Sequence, residues 1–250
     1  MKRDILSLSG KIIVITGAGS GIGQETAVVA SNLGATVVML DYSSDGMYET
    51  LSRMKEGNHS CIDIDLSKTD DIADKVKDII AKNGPINGLV HCAGISSRKP
   101  LNMLKRDGFN KLMDVNFFSF VELVKHFTKK GNFIEGGSIV VMSSISSIRG
   151  YKAKTEYCVS KASVDAFVRC MALELAPKRI RINSVMAAEV LTPLALKARE
   201  LTQLAGGSEF NALLGPSEPY EVANTISFLL SDATRTITGT SILIDGGATA

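Results

Sequence analysis

Short apolar runs rich in β-branched residues alternate with longer helical patterns from one end of the chain to the other, and few architectures accommodate that alternation. The run Lys11-Ile-Ile-Val-Ile-Thr16 is apolar at consecutive positions rather than at every second one, as a strand covered on both faces should be. Comparable strands are expected at 36–41, 60–64, 87–92, 137–142, 181–186 and 241–245. Helices are expected from the glycine-rich turn after Thr16 to about Leu33, with Gly34 as its C-terminal cap, and around Ile72, Val76, Ile79 and Ile80 until Asn83-Gly84-Pro85. Two more are expected at about 108–130 and 155–175. Right-handed crossovers would assemble these into an α/β protein, a doubly wound three-layer αβα fold with a seven-stranded parallel sheet and a ligand crevice at the strands' carboxyl ends. One domain, 1–250, accommodates this, and segment 189–215, of weak periodicity with several glycines, is expected to act as a lid over the ligand.

The first strand runs into Thr16-Gly-Ala-Gly-Ser-Gly-Ile-Gly23. The GxGxxG pattern would need glycine at position 22, where Ile22 stands, so the spacing is GxxxGxG through Gly17, Gly21 and Gly23. The physical demands are similar: a sharp turn after a strand, a backbone that approaches a pyrophosphate with no Cβ in the way, and helix amides aimed at the phosphates. An ordinary tight turn would explain the glycines alone. The second strand adds weight by ending in Asp41, eighteen residues after Gly23, where an acid would meet the adenosine ribose. A carboxylate there accepts from ribose hydroxyls and repels a 2′-phosphate, which favours NAD over NADP. This strand–turn–helix order is that of a Rossmann-type site.

Tyr157 and Lys161 stand four apart in a helical stretch, thirteen residues beyond Ser144. That spacing puts a phenol and an ammonium on one face. Carbonyl reduction needs a proton donor at oxygen as hydride reaches carbon, and alcohol oxidation needs a base. A free phenol titrates near ~10, and a neighbouring ammonium is expected to lower that value. Ser144 could hold the substrate oxygen, and Asn116 could link Lys161 to solvent through water.

The remaining composition excludes other classes. The formal charge is +2, from 28 basic and 26 acidic side chains without long like-charged runs, so nucleic acid and anionic membrane are not expected partners. No uninterrupted apolar stretch is long enough to span a bilayer, and residues 1–10 lack the apolar core of a signal peptide, so a cytoplasmic location is expected. Cys61, Cys92, Cys158 and Cys170 show no ligand spacing and read as reduced thiols; His59, His91 and His126 are scattered, so no metal is expected.

Taken together, these motifs make the chain resemble the short-chain dehydrogenase/reductase family, in its short single-domain branch and with 3-oxoacyl-carrier-protein reductases among the similar members. Residues 16–23 match the family's TGxxxGIG turn, Asp65-Leu66 its adenine-contacting pair, and Asn116, Ser144, Tyr157 and Lys161 its catalytic tetrad. Ile237-Thr-Gly and Asp245-Gly-Gly resemble its C-terminal signature. The resemblance implies hydride transfer between a nicotinamide cofactor and an alcohol or carbonyl, with Tyr157 as acid/base. It implies cofactor contacts at Gly17, Gly19, Ser20, Gly21, Ile22, Gly23, Asp41, Tyr42, Asp65, Leu66, Cys92, Ala93, Gly94, Val115, Tyr157, Lys161, Val190 and Thr192. It also implies a homodimer or homotetramer built partly from helices 108–130 and 155–175, and pocket walls from 95–99, 145–151 and 189–215. Two departures stand out: Cys92-Ala-Gly94 replaces Asn-Ala-Gly, removing a side-chain amide that ties neighbouring strands, and Ala187-Ala188 replaces Pro-Gly after the sixth strand. A catalytically silent NAD(H)-binding sensor or assembly protein on the same fold is the alternative, and the complete tetrad argues against it.

Overall fold

The computed structural model describes residues 5–197 and 212–250. All seven expected strands form: β1 Ile12–Thr16, β2 Thr36–Asp41, β3 Ser60–Asp63, β4 Ile86–His91, β5 Phe133–Ser144, β6 Arg181–Ala187 and β7 Ser241–Ile244. They make one sheet in the order β3-β2-β1-β4-β5-β6-β7, with every pairing parallel. The chain builds outward from β1 to one edge, then returns to lay β4 on the other side of β1. The crossovers reverse direction there, and a crevice opens between the diverging connections at the carboxyl ends of β1 and β4.

Successive side chains of each strand point to opposite faces, and both faces are covered. Val14, Val38, Leu40, Leu89, Val141 and Ile182 face a core shared with α3 Ile72–Asn83, α5 Ser119–Phe127 and α6 Thr155–Leu175. Ile13, Ile15, Val37, Met39, Val140 and Val185 face a second core with α1 Gly21–Asn32, α2 Ser44–Arg53 and α7 Pro219–Leu230. Burial on both sides explains why the strands read as unbroken apolar runs. The guanidinium of Arg181, 6 % exposed at the start of β6, donates to the carbonyls of Leu229 and Ser231 and to Thr234 Oγ1. It thereby satisfies carbonyls that the end of α7 leaves open.

The helix expected at 108–130 is not continuous. α4 Arg106–Met113 passes into a π-helical turn, Asp114–Phe118, before α5 begins, and the Ser119 amide donates to the Asp114 carbonyl five residues back. Such a turn inserts one residue into the helical ladder. Within the expected lid segment, residues 198–211 lie outside the described residues. Its two stems are tied together, Val190 bridging to Ser217 and Leu191 N donating to Ser217 O at 2.9 Å, and the second is held to the segment after β7 by Leu214 N donating to Gly246 O at 2.9 Å.

Candidate active site

The glycine turn at the end of β1 has no room for side chains. A Cβ on Gly23 would lie 2.1 Å from the Gly17 carbonyl oxygen, and one on Gly17, whose φ is +68°, would lie 2.7 Å from the Ala93 amide nitrogen. A Cβ on Gly21 would meet Thr192 Cγ2 at 3.1 Å, so the loop after β6 sits directly above the turn. Ser20 occupies the N-cap of α1 in extended backbone and makes no side-chain cap, which leaves the first amides of the helix open to an anion. Ile22 is partly buried beside them. This backbone cradle fits a pyrophosphate.

Asp41, 8 % exposed at the end of β2, accepts from Gly19 N and Ser43 N, each at 2.9 Å. The carboxylate is thus fixed against the turn by two backbone amides, with unused lone pairs for ribose hydroxyls. Tyr42 beside it is exposed. Beyond β3, Leu66 is buried and Asp65 is exposed, its carboxylate held below the usual range by hydrogen bonds from the Ser67 hydroxyl and amide.

The tetrad residues come from three elements that meet at the carboxyl end of the sheet. Ser144 closes β5 and is buried, Tyr157 and Lys161 stand on the first turns of α6, and Asn116 lies in the π-helical turn. Ser144 faces the Tyr157 phenol and favours its ionised form. The Lys161 ammonium donates to the Met142 carbonyl at 2.9 Å and sits 5.7 Å from the centroid of the Tyr157 ring. A Cβ on Gly94 would lie 3.3 Å from Asn116 Oδ1 and 3.7 Å from Lys161 Nζ, which places the loop after β4 against both.

The charge balance differs from the sequence expectation. Burial pushes the Tyr157 phenol up to about 12, against the pull of Ser144, and burial brings Lys161 down to about 8. Desolvation disfavours both ions and dominates both shifts, and the opposing pull on the phenol comes from Ser144. The phenol is therefore held protonated.

The Asn116 side chain is tied to two neighbouring segments. Its fully buried amide donates to Ile95 O at 2.9 Å and Ser160 Oγ at 3.0 Å, and its oxygen accepts from Ile95 N at 2.8 Å. The side chain is a clamp on the loop after β4.

The missing amide at Cys92 is covered by its neighbour. His91, 1 % exposed, is stacked on Phe120 and lies 2.9 Å from Thr16 Oγ1, which accepts from Ala93 N at 3.2 Å. On its other side the ring lies 3.5 Å from Ser119 Oγ, which donates to the Val115 carbonyl at 2.7 Å, and burial lowers the imidazole pKa to about 3. A neutral imidazole thus joins the end of β1, the loop after β4 and the π-helical turn. A buried histidine next to Cys-Ala-Gly was the available sequence signal. Cys92 itself has its thiol pushed up to about 12 by burial. Val190 is buried, and Thr192 Oγ1 accepts from Ala195 N at 3.2 Å. Among the described residues no cluster of His, Cys, Asp and Glu could hold a metal, and no helix is long and apolar enough to cross a membrane.

A doubly wound parallel sheet, a glycine cradle at its crossover reversal and a Ser–Tyr–Lys cluster facing the same crevice define a Rossmann-type oxidoreductase. The family model described as Enoyl-(Acyl carrier protein) reductase matches residues 17–249. The chain is 34 % identical over 249 residues to the 3-oxoacyl-[acyl-carrier-protein] reductase FabG of Thermotoga maritima, covering 97 % of this chain and 99 % of that protein. It is 29 % identical to the NAD-dependent glycerol dehydrogenase of Listeria innocua, over 97 % of this chain and 95 % of the relative. A short-chain type dehydrogenase/reductase from Mycobacterium marinum superimposes with a TM-score of 0.86 at 29 % identity, covering 99 % of this chain and 98 % of that one. The chain belongs to the short-chain dehydrogenase/reductase family. Its activity is that of an oxidoreductase on alcohols or ketones, with a nicotinamide cofactor.

Proposed function

We propose that the chain transfers a hydride between NAD(H) and a secondary alcohol or ketone, with Tyr157 as general acid/base. The observation that carries this reading is the convergence of Tyr157, Ser144 and Lys161 beside the glycine cradle. When bound, the nicotinamide supplies or accepts the hydride. A phenol held protonated gives its proton to the nascent alkoxide in reduction and takes it back in oxidation. Ser144 holds the substrate oxygen beside that hydroxyl. Lys161 stabilises the phenolate that forms when the proton leaves, and Asn116 fixes the loop that faces it.

Asp41 supports the NAD preference: its carboxylate is immobilised where an adenosine 2′-phosphate would approach, with no basic side chain in the turn. Gly17, Gly19, Ser20, Gly21, Ile22 and Gly23 would hold the pyrophosphate, Asp65 and Leu66 the adenine, and Cys92, Ala93, Gly94, Val115, Val190 and Thr192 the nicotinamide side. Exposed Phe118, Val159 and Leu173 support self-association through the π-helical turn and α6, as a homodimer or homotetramer in the cytoplasm.

The test is NADH consumption with a panel of ketones, followed through its fluorescence, for the wild type and Tyr157→Phe. Turnover lost in the variant with NADH binding retained supports the reading. Binding without turnover across the panel, unchanged by the substitution, makes the chain a sensor instead. Asp41→Ser should narrow the discrimination against NADPH, and unchanged selectivity refutes the role of that carboxylate.

A further inference from the structure

Asp165 follows Lys161 by four residues on α6, as Lys161 follows Tyr157, so the three share one face of the helix. That face meets three consecutive residues of β5. Tyr157 faces Ser144, Lys161 Nζ donates to Met142 O at 2.9 Å, and Ser143 Oγ donates to Asp165 Oδ2 at 2.9 Å. The Asp165 carboxylate is 4 % exposed and reaches two further strands. Ser184 Oγ of β6 donates to Oδ1 at 2.7 Å, and Ser241 Oγ of β7 lies 3.4 Å from Oδ1 and 2.7 Å from Ser184 Oγ.

Hydroxyl donors alone do not require an ion at this position; a neutral polar side chain would tie the same strands without the cost of burying a charge. The charge has a use one helical turn away. Lys161 is faced by Tyr157 and Asp165 from its own helix, by His91 and Cys92 from the end of β4 and its loop, by the Met142 carbonyl from β5, and by Asn116 across Gly94. Burial keeps the phenol, the imidazole and the thiol in this set uncharged at neutral pH. Asp165 is the carboxylate among these neighbours.

We propose that Asp165 is a positioning residue for this site, locking α6 to β5 in one register and balancing the charge of the Lys161 ammonium. The inference rests on the reading of Tyr157 and Lys161 given above. Its direct test is the titration of Lys161 by NMR in the full chain, together with the pH profile of kcat/KM for ketone reduction by NADH. Asp165→Asn should lower the Lys161 titration by about one pH unit and move the alkaline limb of the profile with it. Asp165→Thr, which keeps a hydroxyl toward Ser184 but no charge, carries the same expectation should the asparagine variant fail to fold. Ser184→Ala removes one donor and leaves the charge, so it should reduce stability and leave Lys161 in place. An unmoved Lys161 in the Asp165 variants, or an equal shift in Ser184→Ala, overturns the proposal. If the wild type turns over no ketone, the redox reading fails while the titration still decides the role of Asp165.

Discussion

Replacing Gly23 with alanine sets two effects of opposite sign against each other. Gly23 lies in the first turn of α1, where alanine would ordinarily gain about 1 kcal/mol from helix propensity alone. The new methyl, however, would lie 2.1 Å from the Gly17 oxygen, 2.6 Å from its carbonyl carbon and 3.1 Å from the Thr16 oxygen. All three are backbone atoms, so no side chain can rotate away. Relief requires α1 to retreat by about 1 Å, and with three backbone atoms this close the overpacking cost lies at its upper end, ~3 kcal/mol. The net expectation is a loss of about 2 kcal/mol, with NADH affinity at least about tenfold weaker because the retreat moves the helix amides away from the phosphates. Gly150, with nothing within 4 Å of its built Cβ, is the control, and Gly150→Ala should stay within about 0.5 kcal/mol of the wild type. Urea denaturation and fluorescence titration measure both quantities. A Gly23→Ala protein as stable as Gly150→Ala, with undiminished NADH affinity, would refute the close-approach argument.

Two further substitutions probe the site from other directions. Asn116→Ala removes three buried hydrogen bonds and strands the Ile95 amide and carbonyl, for a loss of about 3 kcal/mol, read by calorimetry as a Tm about 9 °C lower; a drop of a degree or two would mean that the clamp is dispensable. Lys161→Met should abolish turnover yet stabilise the fold near neutral pH. The folded-state pKa of about 8 lies below the ordinary 10.5, so the buried ammonium opposes folding below pH 8, and that cost fades as the pH rises toward 10.5. Part of the gain is given back because Met142 O and Asp165 lose their partner, leaving roughly 1 kcal/mol in urea melts at pH 7. A gap that widens at pH 10 would contradict this sign.

The sheet was readable because its strands are buried on both faces and therefore carry their signal in consecutive residues; β2 occupies 36–41 as expected. The helix bearing Tyr157 and Lys161 also falls at the expected residues 155–175. Helices α2 and α7 have no counterpart in the sequence reading; α2 mixes polar residues with a glycine, and it is held in place by Gly46 packing on the Gly19 backbone. The π-helical turn is invisible to apolar periodicity because it alters spacing by one residue only. What most escaped the sequence was environment. Residue identity places a phenol beside an ammonium, but whether the pair gains or loses charge depends on how much water its neighbours exclude. The same holds for His91, an unremarkable residue by spacing that becomes a three-way tie once β1, β4 and the π-helical turn enclose it.

That wide turn stores one residue that α5 does not need and Asn116 does. A residue advances an α-helix by about 100°, but the π turn already holds one extra residue in the ladder, so deleting one between Met113 and Ser119 would restore α-helical winding and keep Phe120, Leu123, Val124 and Phe127 against the sheet. Substitutions at exposed positions here cost local contacts. A deletion would leave α5 seated and displace Asn116, so natural variation in this stretch should run through exchanges of side chains and spare the residue count.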